Sequence, residues 1–138
     1  MRFDAITLFP AMFAAVVEHG ITQRAHREER WSLRTWNPRD FVDDAHRTID
    51  DRPFGGGPGM LLKPEPLFEA VEDLAREKTR VILLSPAGRT FNQAIAGELA
   101  LEERLLLVSG HYEGFDERVR EQLADDELSI GDYVLTNG

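Results

Sequence analysis

Cysteine is absent from the 138 residues, and no apolar run is long. Without cysteine the chain has neither a disulfide framework nor a thiolate metal site. Its apolar runs stay well short of the roughly 20 residues that span a bilayer. Residues 1–4 do not begin the hydrophobic segment of a signal peptide. These absences predict a cytoplasmic protein that does not act at a membrane.

Lysine is scarce: the chain has two lysines against fourteen arginines, and its net charge is −9. This acidic balance argues against a protein that covers its whole surface with base for nucleic acid. Positive charge is nevertheless concentrated early, between Arg24 and Arg39. Arginine offers phosphate a planar fork of donors. The early segment is therefore either a phosphate-binding patch or a solvated helix face.

Several signatures of common enzymes are missing as well. The chain has no G-x-x-x-x-G-K-[ST], no G-x-G-x-x-G between a strand and a helix, no H-E-x-x-H and no G-x-S-x-G. Its four histidines lack the spacing of metal ligands, so the sequence predicts no metal site. No covalent nucleophile is evident. What remains is a pocket of backbone groups and carboxylates, suited to holding a neutral or cationic cofactor while a second substrate reacts with it.

The most unusual stretch that is present runs over residues 51–60, DRPFGGGPGM. Glycine takes up positive φ angles and lets a ligand touch bare backbone. Pro53 and Pro58 stiffen both ends, which makes the stretch a poor flexible linker. Two interpretations stay open at this point, a mobile surface loop and a ligand-binding loop.

The rest of the sequence alternates between the patterns of strands and helices. It predicts strands over residues 3–8, 31–36, 80–84, 105–108 and 127–130. It predicts helices over residues 10–20, 21–29, 64–75 and 115–123, and a helix over 92–99 with Asn92 as N-cap. No period is sustained over 41–62. This order is typical of an α/β protein with a mostly parallel sheet and flanking helices, here as one domain over residues 1–138.

Three of the predicted strands end in small residues, at 85–86, 109–110 and 130–131. Ligands of such sheets bind outside the carboxyl ends of the strands. Because serine and glycine leave backbone N–H and C=O groups open, we expect a small-molecule pocket at this edge of the sheet.

Longer motifs carry a resemblance that runs from one end of the chain to the other. They are ITLFP at 6–10, NPRDF at 37–41, HRT at 46–48, DDRPFGGGPGM at 50–60, LSP at 84–86, GHYEGFDER at 110–118 and SIGDYVL at 129–135. In this order they resemble the bacterial tRNA (guanine-N1)-methyltransferases, which act on the guanosine just 3′ of the anticodon, position 37.

The resemblance implies a SPOUT-type trefoil-knot methyltransferase domain, an obligate homodimer, tRNA as substrate and S-adenosylmethionine as methyl donor. By the family's pattern, the cofactor contacts would come from Leu84, Ser85, Pro86, Gly110, Ile130, Gly131, Asp132, Tyr133, Val134 and Leu135. The guanine would be bound by Tyr112 and Glu113 and by a loop containing Gly55, Gly56, Gly57 and Gly59. The basic segment near Arg24 would meet tRNA phosphates.

Guanine N1 carries a proton at neutral pH and must lose it to become nucleophilic, so we expect a carboxylate base. Glu113 is suited to accept a hydrogen bond from the guanine edge; its alternative role is to cap the next helix. The family places its catalytic aspartate, the end of its knot and a helical tRNA-binding domain beyond residue 138. The resemblance therefore implies an N-terminal portion with an incomplete knot that is inactive alone.

Two residues depart from the family's pattern: His111 stands where arginine is frequent, and Asn137 where glycine is frequent. Two other function classes remain as alternatives. One is a non-catalytic module that keeps a cofactor pocket or a dimer surface without turnover. The other is an ordinary α/β enzyme for a small acidic or nucleotide substrate, which leaves the order of the motifs unexplained.

Overall fold

The computed structural model describes residues 1–53 and 55–136; Phe54 and Asn137, named above as motif positions, lie outside them. The strands are β1 (Arg2–Ile6), β2 (Ser32–Trp36), β3 (Asp50–Asp51), β4 (Leu61–Leu62), β5 (Thr79–Thr90), β6 (Arg104–Ser109) and β7 (Asp126–Ser129). Five of them form a parallel sheet in the order β2-β1-β6-β5-β7, and β3 pairs with β4 antiparallel. The predicted α/β class with a mostly parallel sheet is confirmed.

In residues 1–53 and 55–136, five helices and two 3-10 turns connect these strands. The helices are α1 (Ala14–Glu18), α2 (Gly20–Arg27), α3 (Pro64–Leu74), α4 (Gln93–Leu99) and α5 (Glu117–Leu123), and the 3-10 turns are Pro10–Phe13 and Pro38–Phe41. The Asn92 side chain accepts a hydrogen bond from the Ile95 N–H at 3.0 Å, as expected of an N-cap. None of the helices in the described part of the chain is long and apolar enough to cross a membrane.

The large sheet separates two apolar layers. On one face Ile6, Leu83 and Leu106 pack with buried residues of α3 and α5. On the other face Ile82, Leu105 and Leu128 pack with Ile95 and Leu99 of α4. Successive side chains of a strand point to opposite faces of the sheet. Because helices cover both faces here, the buried parts of β5 and β6 are continuous apolar runs in the sequence.

The prediction of one helix over residues 10–20 is wrong. A 3-10 turn leads into α1, and the chain breaks at His19, whose φ of −138° and ψ of 152° are extended. Gly20 begins the next helix instead of ending the first one. The apolar spacing predicts one buried helical face formed by Phe9, Phe13, Val16 and Val17. That face is only partly covered, because Phe9 and Val16 are exposed whereas Phe13 and Val17 are half-buried.

Strand β5 continues past its predicted end at Leu84. Pairing with β6 stops at Leu84, but pairing with β7 resumes at Arg89 after a register shift. Proline and glycine normally interrupt a strand, and they produce a bulge here. Gly88 approaches β7 so closely that a Cβ built on it would lie 2.5 Å from the Glu127 carbonyl carbon and the Leu128 nitrogen. The bulge thus keeps Ser85 and Pro86 at the carboxyl edge while β5 extends beyond them.

A buried carboxylate links the strands on the α3 side of the sheet. Asp4 has no exposed surface, and it accepts hydrogen bonds from Arg2, Trp36 and Arg104 at 2.9–3.1 Å. Burial by itself raises the pKa of Asp4. The hydrogen bonds from Arg2 and Trp36 and the charges of Arg2 and Arg104 outweigh it and hold the pKa below its ordinary value.

Candidate active site

A cavity of about 640 Å³ opens at the carboxyl edge of the sheet, where β6 and β7 end beside the bulge of β5 at Ser85 and Pro86. Small residues at the end of each strand leave the floor open to backbone contact, as the sequence predicted. From there the cavity extends across the sheet face that carries α4.

Most of the residues expected to touch the cofactor meet at this cavity. Those that line it are Leu84, Ser85, Pro86, Gly110, Ile130, Tyr133, Val134 and Leu135. They come from three separate strand ends, so the fold brings together positions up to 51 residues apart in the chain. Of the expected set, Gly131 and Asp132 are not among the described residues that form the wall.

Gly131 instead shapes the turn that carries the last wall residues. Ser129 Oγ donates to the Gly131 carbonyl at 2.7 Å and accepts from the Gly131 N–H at 3.2 Å. The Tyr133 ring lies against Gly131, whose missing side chain leaves room for it. Gly131 therefore contributes to the site through the placement of Tyr133.

Gly110 lies at the narrow point between β5 and β6. A Cβ built on it would lie 3.3 Å from the Phe115 ring and 3.4 Å from the Leu84 carbonyl oxygen. Beside it, the Ser85 hydroxyl accepts the Ala87 N–H at 3.1 Å, so that side chain is held in its own turn. A side chain at this position would therefore press on the Phe115 ring and on the Leu84 carbonyl oxygen.

The segment after Gly110 presents the two side chains expected at the guanine. Tyr112 and Glu113 both line the cavity and both are exposed. Tyr112 has a φ of +56°, a left-handed conformation that costs free energy in a residue with a Cβ and that concentrates at functional sites. His111 packs against the Tyr112 ring, with ring centroids 4.6 Å apart, and against Phe9. Its Nδ1 lies 2.9 Å from the Thr136 carbonyl oxygen.

The glycine-rich loop, which the resemblance places at the guanine, contacts the cavity through the Glu113 side chain. Among the described residues, the glycines at 55, 56, 57 and 59 do not form the cavity wall. They have φ angles between +84° and +126°. The loop touches the cavity through Glu113, whose side chain lies against Gly59. The structure thus brings Gly59 and Glu113 together, but not Gly55, Gly56 or Gly57 with the cavity.

The apolar part of the wall was not expected from the sequence. Phe3, Leu105 and Leu107 line it from β1 and β6, and Phe91 and Phe115 also belong to the wall. The alternation along β6 carried the signal, because Leu105 and Leu107 share a face. Which of the two faces would stay open depends on the helix packing.

The early basic segment begins on α2 and continues through the following turn to Arg34 on β2 and Arg39 in the second 3-10 turn. Arg24 forms an exposed pair with Glu28 at 3.1 Å, and Arg24, His26 and Arg27 occupy the last turn of α2. Trp31 packs its ring on His26 and on Phe3, and Phe3 is part of the cavity wall. In residues 1–53 and 55–136, no group of three or more histidines or carboxylates is arranged to hold a metal ion.

The chain has close relatives among known proteins. A family model described as tRNA (Guanine-1)-methyltransferase TrmD matches residues 1–138. Proteins named tRNA (guanine-N(1)-)-methyltransferase from Dehalococcoides mccartyi (strain CBDB1) and Staphylococcus haemolyticus (strain JCSC1435) are 59% and 54% identical over the whole chain. The crystal structure of tRNA (m1G37) methyltransferase from Aquifex aeolicus is similar with a TM-score of 0.90 and 36% identity over the whole chain.

The chain spans 57% of the length of the two relatives and 63% of the chain in the crystal structure. The match to the family model nevertheless covers all 138 residues. The order of the motifs, the parallel sheet and the cavity at its carboxyl edge agree with that match. The chain belongs to the tRNA (guanine-1)-methyltransferase family.

Proposed function

We propose that residues 1–138 are the cofactor-binding domain of an enzyme that transfers a methyl group from S-adenosylmethionine to N1 of the guanosine at position 37 of tRNA. The observation that carries the proposal is the cavity at the carboxyl edge. Its wall contains eight of the residues that match the family's cofactor pattern, and Tyr112 and Glu113 lie in the same wall.

The cavity suits S-adenosylmethionine in size and in chemistry. Its volume of about 640 Å³ lies within the roughly 300–1,000 Å³ of small-molecule sites. Apolar side chains such as Leu84 and Leu107 match the flat adenine ring. Open backbone at Ser85, Gly110 and Ile130 matches its polar edges. When bound, the cofactor supplies an electrophilic methyl group on a sulfonium centre.

In this proposal the chain's own residues act mainly by placement, and correct placement removes much of the barrier of a two-substrate reaction. The three strand ends hold the methyl donor. The Glu113 carboxylate accepts an N–H of the guanine edge and fixes the base in the cavity. The base that removes the N1 proton comes from outside residues 1–138, because none of the carboxylates in the matched motifs corresponds to the family's catalytic aspartate.

We further propose that the enzyme is a homodimer and that α2 contacts tRNA phosphates. The exposed apolar side chains of Phe9, Met12 and Val16 support the dimer, because a second copy would remove them from water. The arginines in the last turn of α2 support the phosphate contact. Sedimentation of the complete gene product should show a dimer, and the double variant Met12→Glu, Val16→Glu should be a monomer. If that variant is still a dimer, the interface lies elsewhere.

The role of Glu113 is tested in the complete gene product. Glu113→Gln should lower turnover on unmodified tRNA by about 10²-fold, since a lost positioning contact costs on this order, with little change in melting temperature. The matched control is Glu117→Gln, an exposed carboxylate at the start of α5. If the parent and Glu113→Gln have equal turnover, Glu113 does not bind the guanine.

The location of the catalytic base is tested by comparing the 138-residue chain with the complete gene product in single-turnover methylation of unmodified tRNA. The chain alone should be slower by at least the about 10²–10⁴-fold that a general base contributes. Comparable rates would mean that the base lies within residues 1–138, with Glu113 and Asp50 as first candidates. Calorimetry with S-adenosylmethionine separates this enzyme from an α/β enzyme that uses another substrate class, which would show no binding.

A further inference from the structure

Glu113 has an unusually close neighbour in the glycine-rich loop. A Cβ built on Gly59 would lie 2.8 Å from both Cδ and Oε1 of Glu113, and closer still to its Cγ. Such separations are shorter than a van der Waals contact, so a side chain at position 59 would have to displace the Glu113 side chain from its present place. Gly59 also has a φ of +85°, which strains any residue with a Cβ.

Backbone hydrogen bonds connect the same two segments. The Glu113 N–H donates to the Met60 carbonyl at 2.9 Å, and the Leu62 N–H donates to the Gly114 carbonyl at 3.1 Å. Leu62 and Phe115 form an isolated parallel bridge just beyond them. The loop containing Gly59 is therefore attached at its C-terminal side to the backbone that carries Glu113.

The contact is specific to one glycine of the loop. Gly55 and Gly56 have φ angles of +84° and +87°, nearly the value of Gly59, yet no described atom lies within 4 Å of a Cβ built on either. Turn geometry explains why glycine occupies all three positions. It does not explain why the Glu113 side chain lies against Gly59 alone.

We propose that Gly59 is a positioning residue for Glu113: its bare Cα forms the surface against which the Glu113 side chain lies, and so sets where the carboxylate meets the guanine. This inference rests on the proposed function for its consequence in methyl transfer. In this role Gly59 acts through Glu113, whereas the resemblance placed it in a loop that helps to shape the guanine pocket.

The first test needs no activity and uses the 138-residue chain. Gly59→Ala should shift the NMR signals of the Glu113 γ-methylene group, because the added methyl group occupies space that this side chain now fills. Gly56→Ala introduces the same backbone strain without a neighbour, and should leave these signals unchanged. Equal shifts at Glu113 in both variants would overturn the inference.

The second test uses the complete gene product and the coupling between two positions. Gly59→Ala should lower kcat on tRNA by about 10-fold or more, as expected for a misplaced reacting group, with KM for S-adenosylmethionine unchanged. In a Glu113→Gln background the same change should have little further effect. Combining it with Glu113→Asp, which is shorter by one methylene, should recover part of the lost kcat.

The outcomes distinguish this inference from the proposed function. If the parent protein does not methylate tRNA, the proposed function fails, while the NMR signals of the Glu113 side chain still decide whether Gly59 holds it in place. If the parent is active but Gly59→Ala and Glu113→Gln lower kcat independently, so that their effects multiply, Gly59 does not act through Glu113 and the inference fails.

Discussion

Trp36 donates its indole N–H to the carboxylate of Asp4, with 2.9 Å between Nε1 and Oδ1. The same carboxylate accepts Arg104 Nε at 3.1 Å and Arg2 Nε at 3.0 Å. Trp36 lies on β2, Asp4 on β1 and Arg104 on β6, so one side chain connects three neighbouring strands. Arg104 also donates to the Leu74 carbonyl at 3.0 Å, which ties the end of α3 to the same point.

Removing the Asp4 carboxylate should destabilise the fold strongly. Asp4→Ala leaves the largely buried Arg104 guanidinium without its counter-charge, and breaking a buried pair in this way costs about 3–5 kcal/mol. The control is Glu103→Ala, whose partner Lys78 is mostly exposed; exposed pairs contribute about 1 kcal/mol or less. Urea unfolding measures both variants, and similar losses would mean that the Asp4 network adds little to stability.

The Asp4 network should also make stability depend on pH in the acid range. The folded state holds the pKa of Asp4 below the ordinary value of 3.8, so the unfolded chain binds this proton more readily. The contribution is fully present above the ordinary pKa and is lost as the pH falls through the lower folded pKa.

Urea unfolding between neutral pH and pH 2 tests this dependence, with the parent chain compared with Asp4→Asn. The difference in unfolding free energy between the two should be constant near neutrality and should shrink below the ordinary carboxyl range. A difference that stays constant down to the most acid pH would contradict the prediction.

Gly88 and Gly97 offer opposite outcomes from the same substitution. A methyl group at Gly88 meets backbone atoms of β7 at 2.5 Å, and backbone cannot move aside as a flexible side chain does. Gly88→Ala should therefore cost about 1–3 kcal/mol, as overpacking does. Gly97 lies exposed within α4 with no described atom near its Cβ position. Gly97→Ala should stabilise the chain by up to about 1 kcal/mol. Thermal unfolding that shifts in the same direction for both variants would contradict the close approach at Gly88.

Substitution of Gly110 should impair cofactor binding more than stability. Valine adds two methyl groups to a Cβ that already lies 3.3 Å from Phe115, so they extend into the cavity or displace that ring. Calorimetry on the complete gene product should show S-adenosylmethionine binding at least about tenfold weaker, or roughly 1.4 kcal/mol. Gly110→Ala should lie between the parent and the valine variant. If Gly110→Val binds S-adenosylmethionine as tightly as the parent, the cofactor site does not lie at this strand end.

Apolar periodicity and capping residues predicted most of the helices and strands, because these patterns depend on residues close together in the sequence. Asn92 as an N-cap and the apolar runs of β5 and β6 depend on residues a few positions apart. The error over residues 10–20 has a physical reason as well. The apolar spacing of Phe13, Val16 and Val17 indicated one buried helical face, but in the described part of the chain Val16 is exposed and Phe13 and Val17 are only half-buried.

The arrangement of the site was only partly predictable. Small residues at strand ends located the cavity, since parallel strands place their carboxyl ends together. The contact of Gly59 with Glu113 joins positions far apart in the chain, and no local pattern encodes such a contact. The bulge at Gly88 was missed because proline and glycine in the sequence indicate the end of a strand, and only the pairing with β7 shows that β5 continues.

The pairing of β1 with β6 has a consequence for how the protein is made. Asp4 and Arg104 are 100 residues apart. At about 5–20 residues per second, a ribosome needs about 5–20 s to synthesise that interval. Throughout that time strand β1 has left the ribosome or is leaving it, and one of its two partner strands does not yet exist. The nascent chain therefore exposes an unpaired strand edge on the timescale at which chaperones bind, and slowing translation before β6 would lengthen that exposure.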